Sequence, residues 1–139
     1  MTLMLKRYLR PSVIALSLLL SVPALAQPKE DEPQLAYFSL EPDITTNFFT
    51  PGQQLGYLRT HIDIMVASAS DLPLIEHHQP LIRNTLVELI GQQTEETIKS
   101  LAGREHLRKM LVQRLNDELL PEVGRVLVAD LLFTKYVYQ

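Results

Sequence analysis

The last fourteen residues, Val126 to Gln139, run to the end of the chain without a glycine or a proline. They are rich in β-branched, aromatic and aliphatic side chains, a composition that fits a pleated, packed surface better than a helix. Leu127, Ala129, Leu131, Phe133 and Val137 share one parity, interrupted by Lys135, and Val126, Val128 and Leu132 add apolar character to the other. This reads as a strand buried on one face and partly on the second, which suits an inner position in a sheet. Fourteen residues exceed the usual strand of roughly 3–10, so a bend, a bulge or a projecting end is expected.

A sheet needs partner strands, and two precede it. Ala36-Tyr37-Phe38-Ser39-Leu40 is a short strand stopped at Glu41-Pro42, with Ile44 to Phe49 continuing after a kink and Thr50-Pro51-Gly52 as a turn. Leu55 to Ala67 is the clearest strand. Leu58, Thr60, Ile62, Ile64 and Val66 take one parity, and Tyr57, Arg59, His61, Asp63 and Met65 take the other. Strict alternation places one face on a core and leaves one for water or a partner.

Between these strands and the last one the period changes to that of helices. Ile75, Ile82, Leu86, Leu89 and Ile90 form a stripe within Leu72 to Gln93, with Pro80 splitting the segment. Thr94 followed by Glu95 and Glu96 is an N-cap signal for a short helix to Leu101, with Gly103 near its end. From Arg104, Leu107, Leu111, Leu115 and Leu119 recur every four residues, and Pro121 marks the expected limit. The order β-β-α-α-β, with strands not regularly interleaved with helices, predicts an α+β fold. A small sheet should carry its helices on one face.

The N-terminus reads as an export segment. Lys6, Arg7 and Arg10 precede the apolar run Val13 to Val22, and Pro23-Ala24-Leu25-Ala26 offers a small-residue cleavage site after Ala26. The alternative is a short uncleaved membrane anchor. Pro11 to Ala26 would span roughly 24 Å as a helix against a bilayer core of about 30 Å. Gln27 to Leu35 is a polar, proline-punctuated linker, leaving residues 36–139 as the folded domain beyond the cytoplasmic membrane. Cleavage would leave 10 Lys and Arg against 16 Asp and Glu, a formal charge of −6. Charge alone would then not hold the domain on an anionic membrane.

The chain has no cysteine, which excludes disulfides, thiolate chemistry and cysteine zinc sites. Outside the N-terminus no run of Lys or Arg points to nucleic acid. His61, His77, His78 and His106 lack the i, i+4 spacing of a helical zinc site, and read as surface histidines. No cofactor is expected, because there is neither a glycine-rich phosphate loop nor a nucleophile motif. Arg59, His61 and Asp63 share the polar face of one strand, and a solvated strand face is the plain reading of them. Asp130, inside an apolar strand, is expected to face outward or to pair with a nearby arginine. The residues alone stop at a small exported α+β domain, not an enzyme, for which an unrelated periplasmic binding or inhibitor module is the alternative.

The order of particular residues goes further. Tyr37-x-x-Leu40-x-Pro42, Asn47-Phe48 and Tyr57-Leu58-Arg59 leading into Ile62 and Ile64 resemble the start of the periplasmic domain of the FliL family. Pro80-Leu81-Ile82-Arg83, Leu89-Ile90, Gly103-Arg104-Glu105-x-Leu107-Arg108 and Leu115-Asn116 resemble its middle. Leu132-Phe133-Thr134-x-Tyr136-Val137-x-Gln139, stopping at that glutamine, is similar to its closing strand. The resemblance implies a non-enzymatic flagellar basal body-associated protein with a stomatin-like domain on the periplasmic side of the inner membrane. It also implies homo-oligomeric rings around the stator units that drive flagellar rotation. Tyr57, Arg59, His61, Asp63, Lys135 and Tyr136 are the candidate assembly surface.

Overall fold

The computed structural model describes residues 34–52 and 54–139. Residues 1–26, where an export segment is expected, and 27–33 of the expected linker lie outside the described residues. Among the described residues three strands and four α-helices follow in order, with a 3-10 turn at Ala69–Asp71 before the first helix: β1 (Ala36–Phe48), β2 (Gly56–Val66), α1 (Leu72–His77), α2 (Gln79–Gly91), α3 (Glu95–Lys99), α4 (Leu101–Val123) and β3 (Val128–Tyr138). The sheet is antiparallel in the order β1-β2-β3, with the helices packed on one face, so the α+β expectation holds.

β2 alternates as its sequence requires. Leu58, Thr60, Ile62, Ile64 and Val66 are buried against the helices, and their neighbours point the other way. Leu40, Ile44 and Phe48 of β1 and Val128 and Leu131 of β3 extend that apolar layer. Ile75, Ile82, Leu86 and Ile90 cover it from α1 and α2, and Ile98 joins from α3. Leu107, Leu111, Leu115 and Leu119 cover it from α4; each is fully buried, worth roughly 1.5–3 kcal/mol per side chain.

The inner position expected for the last strand belongs to β2 instead. β3 is an edge strand, and only Val128 and Leu131 within it are fully buried. The expected irregularity is present twice. Ala129 is extra between the Met65–Asp130 and Val66–Val128 pairs, and Thr134 is extra between the His61–Lys135 and Ile62–Phe133 pairs. Each bulge reverses the parity of the residues beyond it, because side chains alternate with period two. Leu131, Phe133 and Tyr136 therefore all pack toward the core, while Lys135 and Val137 are exposed. The buried Thr60 hydroxyl donates to the Lys135 carbonyl at 2.7 Å, satisfying the backbone beside the second bulge.

β1 continues through its kink as one strand. Glu41, Pro42 and Asp43 together stand opposite His61, between the Leu40–Ile62 and Ile44–Thr60 pairs. The helical region also differs from expectation at two ends. Gly103 starts a helix instead of ending one: Ser100 caps α4 by accepting from the Gly103 N–H at 2.9 Å. A Cβ on Gly103 would lie 2.4 Å from the Thr97 carbonyl oxygen, so only glycine lets α3 and α4 meet this closely. Pro121 does not end α4. It sits in the last turn, where the carbonyl it deprives of a helical hydrogen bond belongs to the exposed Asp117. The stop is Gly124, left-handed at φ 79°, whose N–H donates to the Leu120 carbonyl at 2.8 Å.

Candidate functional site

The helices leave the other face of the sheet open. β2 supplies Tyr57, Arg59, His61, Asp63 and Met65 to it, and the register sets their neighbours. Arg59 lies between Thr45 and Val137, His61 beside Lys135, and Asp63 between Ser39 and Leu132. Tyr57 lies beside Asn47, and its backbone exchanges two hydrogen bonds with Gln139, at 3.2 and 2.9 Å.

Asp43 is the centre of this face, and strand periodicity gave no reason to select it. The β1 bulge carries its carboxylate over β2. One oxygen meets His61 Nδ1 at 2.9 Å. The other accepts from Arg59 Nε at 2.8 Å and from Lys135 Nζ at 3.2 Å. The hydrogen bond with His61, then those with Arg59 and Lys135, hold the Asp43 carboxyl well below the ordinary carboxylate range, against a smaller opposing effect of burial. The other ring nitrogen of His61 lies 3.5 Å from Asp63, which also accepts from the Ser39 hydroxyl at 2.6 Å. Thus three strands are tied across the sheet by one carboxylate. The available signal was Pro42-Asp43 lying between two strand pieces of unequal phase.

Two shallow depressions flank the cluster. One of about 390 Å³ is lined by Thr45, Tyr57, Arg59, Lys135, Val137 and Gln139. Another of about 520 Å³ lies over Glu41, Pro42, Asp43, Arg59 and His61. Tyr57 and Val137 are each about half exposed beside these charges. Paired charges next to exposed aromatic and aliphatic groups suit recognition of a second protein surface. His77 and His78 stack edge to face on the helical side, 4.9 Å between ring centres, and His106 is exposed on α4. Among the described residues no group of three or more His, Cys, Asp or Glu is placed to hold a metal ion.

Five of the six candidate residues share this face: Tyr57, Arg59, His61, Asp63 and Lys135. Tyr136 does not. The bulge at Thr134 turns it to the helical side, where its hydroxyl donates to the Ile98 carbonyl at 2.9 Å. The Arg104 guanidinium carbon lies 4.1 Å from its ring centre. Burial raises the Tyr136 pKa, and the Arg104 charge opposes that. Asp130 pairs with Arg108, as expected of a carboxylate in an apolar strand, and Arg108 also pairs with Glu105 at 2.6 Å.

Four residues of the middle segment thus have physical roles. Gly103 admits α3, Arg104 stacks on Tyr136, Leu107 fills the core, and Arg108 reaches β3. A family model described as "Flagellar basal body-associated protein FliL" matches residues 37–139, which is β1 to the final residue. The protein described as "Flagellar protein FliL" from Aquifex aeolicus (strain VF5) is 30% identical over 113 residues, covering 81% of this chain and 67% of that protein. This chain belongs to the FliL family of flagellar basal body-associated proteins.

Proposed function

We propose that the chain is a non-enzymatic accessory of the flagellar motor, supporting stator function and flagellum-dependent motility from the periplasmic side of the inner membrane. In this reading residues 1–26 direct export, as a cleaved signal or a short anchor, and residues 36–139 act as the periplasmic domain. Among the described residues no helix is long and apolar enough to cross a membrane. Attachment of the domain to the membrane is therefore assigned to the N-terminal segment or to partners.

The observation that carries the proposal is the family match over the whole described sheet and its helices. The open face supports the way such a protein would act. It joins Asp43 to Arg59, His61 and Lys135 beside exposed Tyr57 and Val137, and among the described residues the helices pack on the opposite face. We assign this face to homo-oligomeric contact or to the stator. The test is chromosomal deletion with complementation. Loss of swimming in soft agar, restored by the intact chain and not by one charge-reversed at Arg59 and Lys135, is the expected result. Normal swimming without the protein would contradict a role in motor output.

A further inference from the structure

Among the described residues β3 has a neighbour on one side only. Gln139 exchanges both backbone bonds with Tyr57, so the alternation of an antiparallel ladder turns the N–H and C=O groups of Tyr138 and Tyr136 away from β2. Among the described residues no backbone or side-chain group accepts from or donates to them. Several other groups along the exposed sheet edges are occupied. At the start of β3 the Leu131 N–H donates to Asp130 Oδ1, and Arg108 holds that carboxylate. On β1, Gln79 and Arg83 donate to the Glu41 and Pro42 carbonyls, and Phe49 bonds to Gln93 and Glu95.

The open stretch is flanked by cations on both sides. α4 runs back along β3, meeting it through Asn116 at Val128, Arg108 at Asp130 and Arg104 at Tyr136, and Lys99 of α3, which pairs with Glu95, lies 5.5 Å from the centre of the Tyr138 ring. Arg104 makes no ion pair among the described residues, and its buried Nε has no hydrogen-bond partner. On the opposite side Lys135 stands at the edge and shares the Asp43 carboxylate with Arg59.

We propose that the β3 edge from Phe133 to Tyr138 takes an extended acidic segment of another protein as a fourth strand. The added strand would bond the free main-chain groups of Tyr136 and Tyr138, and its side chains would alternate between the two faces. A carboxylate on the helical side would meet Arg104, and one on the open side would meet Lys135. A second copy of this chain fits less well. On β1 its strand would have to displace Gln79 and Arg83 from the Glu41 and Pro42 carbonyls, and β3 against β3 would bring two copies of Arg104 and Lys135 to one seam. The site adjoins the open face and shares Lys135 with it, but Arg104 and the free main-chain groups of Tyr136 and Tyr138 lie outside that face, so their variants test it apart from that assignment.

Hydrogen–deuterium exchange on the purified full chain tests this, with a blocked peptide alternating valine and glutamate as probe and its lysine counterpart as control. The acidic peptide should slow exchange at the Tyr136 and Tyr138 amides and leave Thr45 and Asn47 unchanged. Tyr138→Pro removes the outward N–H without touching the bonds to β2 and should abolish that protection. Arg104→Gln should weaken binding by about tenfold, the scale of one charge-assisted hydrogen bond, and Arg104→Lys by less. Melting curves establish that the variants are folded, and the wild-type exchange pattern decides the matter if they are not. Equal protection by both peptides, or protection mapped elsewhere, overturns the proposal. Protection of Tyr136 and Tyr138 that rises with protein concentration before any peptide is added also overturns it, in favour of a second copy.

Discussion

Asn116 of α4 holds Val128 of β3 by both ends of its amide. Its Nδ2 donates to the Val128 carbonyl at 2.8 Å, and its Oδ1 accepts from the Val128 N–H at 2.9 Å and from the Leu127 N–H at 3.1 Å. Three main-chain groups next to buried Leu127 and Val128 thus depend on one side chain from the helix before them. Asn116→Leu should destabilise the domain by roughly 1–3 kcal/mol, because polar groups would be left unsatisfied near the core. Asn116→Asp should also destabilise, since the donor to the Val128 carbonyl is replaced by an acceptor. Thermal melting by circular dichroism measures both, and an unchanged midpoint in Asn116→Leu would mean that water replaces the side chain.

The α3–α4 junction makes a second prediction. Gly103→Ala drives a methyl into the Thr97 backbone and should cost on the order of 1–3 kcal/mol, the usual range for overpacking. Gly124→Ala meets no atom within 4 Å, so its cost comes only from the positive φ, about 1 kcal/mol. Urea denaturation should therefore rank Gly103→Ala as the worse of the two. The opposite ranking would mean that α3 yields readily.

Leu111 lies in the middle of the buried leucine stripe of α4 and is fully buried. Leu111→Asp places an unpaired charge among apolar side chains and should unfold the domain, while Leu111→Ala should cost about 2–5 kcal/mol. A folded, cooperatively melting Leu111→Asp protein would contradict this packing.

Three carboxylates make stability fall in acid. Arg108 lowers Glu105 from its ordinary 4.5 to about 2, Arg125 lowers the buried Asp71, and His61, Arg59 and Lys135 lower Asp43. Each folded-state pKa lies below the unfolded one, so the stabilising effect is complete above the unfolded values. It is lost as pH falls through the folded values. The melting temperature should decline from about pH 4.5 downward, and for Glu105 most of the loss should occur by about pH 2. Arg125→Met should flatten part of this decline while lowering stability at neutral pH. A wild-type profile that stays level across this range would contradict these assignments.

How far the sequence disclosed this arrangement depends on bulges. β2 has none of its own, so its parity placed Tyr57, Arg59, His61 and Asp63 on one face and Leu58 to Val66 on the other. β3 has two, and the one at Thr134 sends Tyr136 to the helices and leaves Lys135 outside. Side-chain alternation cannot reveal this, because an extra residue leaves no mark on composition. Asp43 was hidden for the same reason, since its partners Arg59, His61 and Lys135 are assembled only once three strands are in register. β3 reads as central because its apolar residues fall on both parities, yet many of them cover an exposed edge. Gly103 resembles a helix stop because a glycine needed for close approach and one needed for left-handed backbone look alike in sequence. Gly124 is the left-handed one.

The most direct measurement for the central claim is swimming in soft agar by a strain carrying Arg59→Glu and Lys135→Glu, compared with one carrying Arg114→Glu. Arg114 pairs with Glu118 on exposed α4, away from the open face, and controls for a change of charge. The Arg114–Glu118 pair is exposed and worth about 0–1 kcal/mol, whereas Asp43 is largely covered, so the double variant should lose some stability without unfolding, as melting and protein level would show. The account predicts that the double variant swims like the deletion strain while Arg114→Glu swims like wild type. Wild-type swimming by a folded, normally abundant double variant would contradict the assignment of the open face to motor assembly.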